Sequence, residues 1–154
     1  KQNYIIVLTV TKVACDNYVF KKPLATSQKN QVHLFTVDGC VYDWASATSA
    51  QQIALLVAEG IEYLDALTAN GESIDDVAPR LQFRIAVDTN FFFQIAKLRA
   101  FRQVWANVIA EYKPQHNCTH NAFVQAQSSS ASLSSIDEIT NLLRLTTMGA
   151  SAAM

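Results

Sequence analysis

The sequence lacks an excess of charge of either sign. Its 12 lysines and arginines stand against 13 aspartates and glutamates, which leaves a formal net charge of -1. Proteins that bind nucleic acid neutralise phosphates with a basic surface, so we expect no nucleic-acid partner. The sequence also lacks an apolar run of the roughly 18 to 20 residues that a membrane span needs, and its first residues show no leader pattern. We therefore expect a cytoplasmic protein with no membrane partner.

Cysteine is scarce as well. The chain has Cys15, Cys40 and Cys118, an odd number of widely spaced residues, which argues against a disulfide framework. We expect each of them to be a buried, reduced thiol. His116 and His120 flank Cys118 with alternating spacing, which on a strand would place three metal ligands on one face. Because a fourth ligand is missing, the sequence favours an ordinary loop here and predicts no metal site.

Half of the residues are apolar, which is enough for one core, and their spacing predicts alternating strands and helices. The predicted strands cover residues 4–13, 32–37, 81–87 and 122–126, and the predicted helices cover residues 47–69, 91–112 and a last stretch from Asp137. A short helix is predicted between Ser73 and Pro79, and the serine-rich residues 128–135 are interpreted as a loop between a strand and a helix. Such alternation is typical of parallel βαβ units, so we expect one α/β domain over residues 1–154.

The long helix at residues 91–112 has apolar residues at three- and four-residue intervals. The residues predicted to face the core are Phe91, Ile95, Leu98, Trp105, Val108 and Tyr112. Lys97, Arg99 and Arg102 are interpreted as parts of a solvated helix surface. The aromatic run of residues 91–93 is expected in the core or at a subunit interface. In the last helix the apolar residues are Ile139, Leu142, Leu143 and Met148.

The most specific motif is the run DTNFFFQIAKLRAFRQVWAN at residues 88–107. It resembles the signature of the methylmalonyl-CoA mutase family, which reads NFF, then EIAKLRA and RxxW. Residues 47–67, 73–81 and 141–147 are also similar to family segments, so the resemblance covers about residues 32–154. It implies part of a TIM (β/α)8 barrel of the cobalamin-dependent mutase type, in which acyl-CoA threads along the barrel axis. A complete barrel takes about 250 residues, so only a fragment is expected here.

Two residues are candidates for substrate binding through the resemblance. Arg80 corresponds to a family arginine that contacts the CoA portion of the substrate, and a guanidinium suits phosphate or carbonyl recognition. Gln127 corresponds to the family's active-site glutamine, at the end of a predicted strand, where barrel sites lie. The alternatives are a surface arginine at a strand start and a loop amide with ordinary partners.

The departures from the family pattern concern the catalytic groups. Val41 occupies the position of the family's catalytic histidine, and a valine donates neither a proton nor a hydrogen bond. Phe123 occupies the position of an arginine, and the sequence has no Asp-x-His-x-x-Gly cobalamin motif. The resemblance therefore implies a chain with no catalytic residue and no bound cofactor, most like the small, non-catalytic subunit. Its partner would be a catalytic large subunit, with adenosylcobalamin bound there or in a missing domain.

Three functions remain open from the sequence. The chain is a scaffold subunit or fragment of the mutase, a working acyl-CoA isomerase whose missing groups lie outside residues 1–154, or a homodimeric interaction module that binds no CoA. An incomplete barrel exposes sheet edges, so we also expect self-association.

Overall fold

The computed structural model describes residues 35–154, in which strands and helices alternate. The strands are β1 (Phe35–Asp38), β2 (Leu81–Val87) and β3 (Phe123–Ser128), and the helices are α1 (Cys40–Trp44), α2 (Ser49–Ala69), α3 (Ile74–Val77), α4 (Phe91–Glu111) and α5 (Glu138–Ala153). Three 3-10 turns occupy Ala78–Arg80, Asn117–His120 and Ser130–Ser132. The strand predicted at residues 4–13 and Cys15 lie outside the described residues.

The three strands form one parallel sheet in the order β1-β2-β3. Asp38 at the end of β1 lies opposite Arg84, and Ala86 lies opposite Gln127. Consecutive parallel strands joined through helices confirm the predicted α/β class.

The two faces of the sheet differ in chemistry because side chains alternate along each strand. One face is apolar and packs against α2 and α4, with Phe83 at its centre, where its ring centroid lies 4.5 Å from that of Trp105 and 4.9 Å from that of Phe101. The register gives the other face mainly polar residues: Thr36, Asp38, Gln82, Arg84, Ala86, Phe123, Gln125 and Gln127. The core therefore lies on one side of the sheet, and polar groups line the other.

Gly60 lets α2 approach α4 and the sheet closely. A Cβ atom at this position would lie 2.7 Å from Trp105 Cζ3 and 3.1 Å from Phe83 Cε1. Both atoms belong to fully buried rings, so neither moves without disturbing the core. A glycine is needed here for space.

Capping residues and a glycine turn explain where several helices begin and end. Thr48 caps α2 in a capping box with Gln51, so this helix begins two residues later than predicted. Gly71, with φ of 88°, follows the end of the helix as expected. Ser73 accepts a hydrogen bond from the backbone of Asp75 and begins α3, and β2 has the predicted bounds.

The prediction of which residues of α4 face the core is partly wrong. Its buried residues are Gln94, Lys97, Leu98, Phe101, Trp105 and Ile109. Arg99 and Arg102 are exposed as predicted, whereas Lys97 is buried because its ammonium group has partners inside the domain. Phe92 and Phe93 are 81% and 54% exposed and do not join the core.

Other predictions need correction near the polar loops. No helix was predicted at α1, and β3 extends two residues beyond its predicted end, so that Gln127 lies within the strand. The residues around Cys118 form a 3-10 turn, in agreement with the predicted loop, but this thiol is exposed rather than buried. In α5, Met148 and Ser151 are buried. The other apolar residues predicted for this helix, Ile139, Leu142 and Leu143, are 79%, 65% and 68% exposed.

Candidate ligand site at the carboxyl edge of the sheet

A small cavity of about 90 Å³ lies where the three strands end. Its lining residues come from the strand ends, from α1 and from the serine-rich segment: Asp38, Cys40, Asp43, Trp44, Arg84, Ala86, Gln127, Ser128, Ser129 and Ser130. The carboxyl edge of a parallel sheet is the usual place for a ligand in α/β folds, because the loops that follow the strands converge there. We call this cavity the edge pocket.

Arg84 joins the three strands across the polar face. Its Nη1 atom lies 3.2 Å from Asp38 Oδ2 in an ion pair, and its Nη2 atom donates to Gln127 Oε1 at 3.2 Å. The parallel register places Asp38 and Arg84 side by side, so this contact follows from the pairing of β1 with β2. The ion pair is half-buried, with side-chain exposures of 35% for Arg84 and 18% for Asp38.

A chain of hydrogen bonds supports the opposite wall of the edge pocket. Asp43 on α1 accepts from Ser129 Oγ at 2.6 Å and from Gln52 Nε2 at 3.3 Å. Gln52 Oε1 in turn accepts from Lys97 Nζ at 2.5 Å, and the same ammonium group donates to the Ala86 carbonyl oxygen at 2.9 Å. The wall is thus tied to α2, to α4 and to the end of β2.

Burial changes the ionisation of two groups beside the edge pocket. Desolvation lowers the pKa of Lys97, and the nearby Asp43 and Asp88 carboxylates oppose this effect. Desolvation, followed by the negative charge of Asp38, raises the pKa of the Cys40 thiol to about 11. Cys40 is therefore a neutral thiol at pH 7 and a poor nucleophile.

Some buried polar atoms have no hydrogen-bond partner. On the polar face, Gln82 Nε2 donates to Gln125 Oε1 at 2.5 Å, while Gln82 Oε1 and Arg84 Nε are buried and unpaired. Both atoms of the Gln94 amide in α4 are also unpaired. Unpaired buried polar atoms are unfavourable and indicate where water or a ligand binds.

The two predicted binding residues lie at opposite ends of the sheet. Gln127 lines the edge pocket, whereas Arg80 lies in the 3-10 turn directly before β2, at the amino edge. Gln127 pairs with Ala86, which follows Arg80 by six residues, a span of roughly 20 Å at about 3.3 Å per residue. Val41 is 48% exposed on α1, and Phe123 is 43% exposed at the amino end of β3.

Four side chains that were not among the predicted site residues organise the edge pocket, namely Asp38, Arg84, Asp43 and Lys97. A usable signal was present for Arg84, because Gln82 and Arg84 alternate with the apolar residues of β2 and must therefore lie on the other face of the sheet. Lys97 gave no such signal, since its partners come from distant segments. Within residues 35–154 no group of three His, Cys, Asp or Glu side chains is placed to hold a metal ion. No helix in that range is long and apolar enough to cross a membrane.

The fold and the edge pocket define an α/β domain with a polar site at the carboxyl edge of a parallel sheet. The sequence model of the methylmalonyl-CoA mutase family matches residues 9–154. The chain belongs to the methylmalonyl-CoA mutase family, as the signature at residues 88–107 predicted.

Comparison with curated relatives agrees with this membership. The chain is 37% identical over 109 residues to a methylmalonyl-CoA mutase of Rhizobium meliloti (strain 1021), which covers 71% of the chain and 15% of that protein. It is 36% identical over 120 residues to the large subunit of the Streptomyces virginiae mutase, covering 77% of the chain and 16% of the subunit. It is 33% identical over 109 residues to the methylmalonyl-CoA mutase large subunit of Propionibacterium freudenreichii subsp. shermanii, covering 71% of the chain and 15% of that subunit. The aligned region thus spans about one sixth of these relatives.

Proposed function

We propose that this chain supplies part of the acyl-CoA-binding barrel of a methylmalonyl-CoA mutase and acts there as a scaffold. The sheet order and the position of the helices support a barrel segment. Strands that follow one another around a barrel pair in sequence order, with their helices on the outer face. Here β1, β2 and β3 pair in that order, and both α2 and α4 pack against the same face.

The observation that carries the proposal is the polar face of the sheet. In a barrel this face points inward, and here it carries a buried acceptor, Gln82 Oε1, and a buried donor, Arg84 Nε, which have no hydrogen-bond partner and lie between the two candidate binding residues. The pantetheine arm of CoA is a long chain with amide N–H and C=O groups, which are the partners that these two atoms need. An extended arm also matches the separation of Arg80 from Gln127.

The residues at the edge pocket support a scaffold rather than a catalyst. A proton donor near neutral pH requires a group such as histidine, and the lining of the pocket contains none. Its thiol, Cys40, has a pKa of about 11, and Val41 presents only hydrocarbon. We therefore assign any chemical step to groups outside the edge pocket.

We also make proposals for the cofactor and for the partner chain. A cavity of about 90 Å³ holds only a few atoms of a ligand and is far smaller than a corrin ring. The edge pocket therefore does not fit adenosylcobalamin, and we propose that a partner chain or another domain binds this cofactor. The partner we propose is a catalytic large subunit, with this chain acting as the small subunit.

Calorimetric titration with CoA and with methylmalonyl-CoA tests the proposal. We expect saturable binding that Arg80→Ala weakens by about 1.5 to 3 kcal/mol, the usual effect of losing a charge-assisted hydrogen bond. Arg102→Ala is the matched control, because Arg102 is an exposed arginine of α4. Absence of binding up to millimolar ligand would exclude a CoA site on this chain.

The second candidate function is a homodimeric interaction module that binds no CoA. It is favoured by the exposed apolar surface of α5, formed by Ile139, Leu142 and Leu143. Monomeric proteins rarely expose large contiguous apolar patches. Sedimentation of the chain at several concentrations, together with the titration above, separates the two functions: this one requires a dimer and no CoA binding.

A further inference from the structure

We propose that α1 is a lid over the edge pocket, which two hydrogen bonds to the serine-rich segment, residues 128–135, hold closed and which opens to admit a ligand. Asp43 Oδ2 accepts a hydrogen bond from Ser129 Oγ at 2.6 Å, and Trp44 Nε1 donates to Ser130 Oγ at 2.9 Å. We call these two contacts the latch. The identity of the ligand rests on the proposed function, whereas the lid follows from contacts within the chain.

The latch joins two segments that both line the edge pocket. Asp43 and Trp44 come from the end of α1, and their partners follow β3, with 86 positions of sequence between the members of each pair. The cavity of about 90 Å³ holds only a few atoms of a ligand. A larger group, such as an acyl thioester, therefore enters only when the two segments separate.

The serine-rich segment is the fixed side of the latch. The backbone N–H group of Ser129 donates to the Val87 carbonyl oxygen at 2.8 Å, and Ser129 is 3% exposed. Further along the segment, Arg144 Nη1 of α5 donates to the Ser132 carbonyl oxygen at 3.2 Å. Because β2 and α5 both hold this segment in place, opening requires movement of α1.

The helix α1 is suited to such a movement. Of its five residues only Cys40 is buried, and Trp44 is 68% exposed. Segments that bury little apolar surface open at a low cost in free energy. At one end, Gly39 is fixed to β2 by a hydrogen bond from its N–H group to the Arg84 carbonyl oxygen. At the other end, Ser46 has φ of 60°, a left-handed conformation that is uncommon for residues other than glycine. These two positions are where we place the hinges of the lid.

Two further side-chain contacts hold α1 to α2. Tyr42 Oη donates to Glu59 Oε2 at 2.9 Å, and Gln52 Nε2 donates to Asp43 Oδ1 at 3.3 Å. Both partners lie on the helix that follows α1 in the chain, so these contacts guide the lid without closing it. The latch is what joins the lid to the serine-rich segment.

The thiol of Cys40 reports the position of the lid without any ligand. It lines the edge pocket and is 6% exposed, so a thiol reagent reaches it when α1 swings outward. When opening and closing are fast, the rate of labelling follows the population of the open form. Ser130→Ala removes the acceptor of Trp44, and we expect iodoacetamide at pH 9 to label Cys40 about fivefold faster, the change expected for the loss of one hydrogen bond. Peptide mass spectrometry measures the rate, with the exposed Cys118 as an internal reference.

Trp44→Phe tests the same contact from its other side, because it removes the donor and keeps an aromatic ring. It should accelerate labelling to the same extent as Ser130→Ala. The double variant should be no faster than either single variant, since both changes break one hydrogen bond. Ser135→Ala is the matched control: Ser135 is an exposed serine of the same segment, and the variant should keep the wild-type rate.

Urea distinguishes opening of the lid from unfolding of the whole domain. Movement of a five-residue helix exposes little surface, so the labelling rate of Cys40 below the unfolding transition should hardly depend on urea. A steep urea dependence would mean that Cys40 reacts only through global unfolding, which overturns the lid. Wild-type labelling of Cys40 as fast as that of Cys118, or an unchanged rate in both single variants, also overturns it.

The role of the lid in ligand entry is tested by stopped-flow binding of methylmalonyl-CoA. If the ligand enters only the open form, Ser130→Ala should raise the association rate by about fivefold, in proportion to the open population. An unchanged association rate overturns this role. If no thioester binds, the proposed function fails, whereas the lid is still decided by the labelling of Cys40.

Discussion

The ammonium group of Lys97 lies 2.9 Å from the carbonyl oxygen of Ala86, and through this contact α4 holds the end of β2. The same group donates to Gln52 on α2, which in turn donates to Asp43 on α1. A single buried lysine therefore connects four elements around the edge pocket. Long flexible lysine side chains are rarely buried unless their charge and all their donors are accommodated.

Replacing this lysine should destabilise the whole domain. Lys97→Met retains most of the side-chain volume but leaves Gln52 Oε1 and the Ala86 carbonyl oxygen without their donor. Each unsatisfied buried acceptor raises the free energy of the folded state by about 1 to 3 kcal/mol, so we expect a loss of about 2 to 5 kcal/mol. Urea unfolding followed by circular dichroism measures this loss.

The control for that experiment is Arg102→Met, which removes an exposed positive charge from the same helix. A surface change of this kind alters stability by about 0.5 kcal/mol or less. If the two variants unfold at the same urea concentration, the hydrogen bonds of Lys97 contribute nothing measurable, and its structural role must be abandoned.

Cysteine reactivity provides a test of the site's electrostatics. At pH 8 we expect iodoacetamide to modify Cys118, which is exposed, and to spare Cys40, which is buried with a pKa of about 11. Peptide mass spectrometry locates the modified residue. Rapid modification of Cys40 in the folded chain would show that the thiol is ionised or accessible, contrary to the structure.

The same thiol should influence stability in alkali. Its folded pKa of about 11 lies above the ordinary value of 9.0, so the folded state retains its proton while the unfolded state loses it. The resulting stabilisation is fully present below pH 9 and is lost as the pH rises through 11. Compared with Cys40→Ala, the wild-type chain should lose unfolding free energy more steeply between pH 9 and 11. Parallel pH profiles of the two proteins would exclude this contribution.

Two glycines in helices should respond oppositely to alanine. Gly60→Ala places a methyl group against the rings of Trp105 and Phe83, and overpacking of this kind destabilises by about 1 to 3 kcal/mol. At Gly149 in α5 the added carbon has no atom of residues 35–154 within 4 Å apart from its chain neighbours and its own helix backbone, so Gly149→Ala should stabilise by about 0.5 to 1 kcal/mol through helix propensity. Thermal unfolding of both variants measures this difference in stability. If Gly60→Ala is as stable as the wild-type chain, α2 and α4 are not in close contact at this position.

The helices and strands could be predicted from the sequence more accurately than the residues of the site. Local patterns were sufficient for β2 and for the cap and stop of α2, because capping boxes and glycine turns act over a few residues. The buried face of α4 was misassigned because Gln94 and Lys97 are polar and only tertiary contacts reveal their burial. The edge pocket depends on strand register, which brings Asp38 beside Arg84 across 46 positions of sequence. No local pattern encodes that pairing.

The apolar surface of α5 supports a final prediction on self-association. Leu142 and Leu143 lie on adjacent exposed positions, 65% and 68% exposed, and Ile139 extends the same surface by one turn. Burying this surface between two copies would remove apolar area from water and favour a dimer. We expect the wild-type chain to sediment as a dimer or larger species at tens of micromolar, and the double variant Leu142→Glu and Leu143→Glu to sediment as a monomer with unchanged helix content.

A charge-matched control distinguishes loss of the apolar surface from simple repulsion between copies. Gln103→Glu combined with Ala110→Glu adds the same two negative charges at exposed positions of α4. This variant should retain the association of the wild-type chain, because it leaves the α5 surface unchanged. If it also becomes monomeric, net charge rather than the α5 leucines governs association. If the leucine variant still associates, the contact lies elsewhere, and the outer edge of β3, which within residues 35–154 pairs only with β2, becomes the next surface to test.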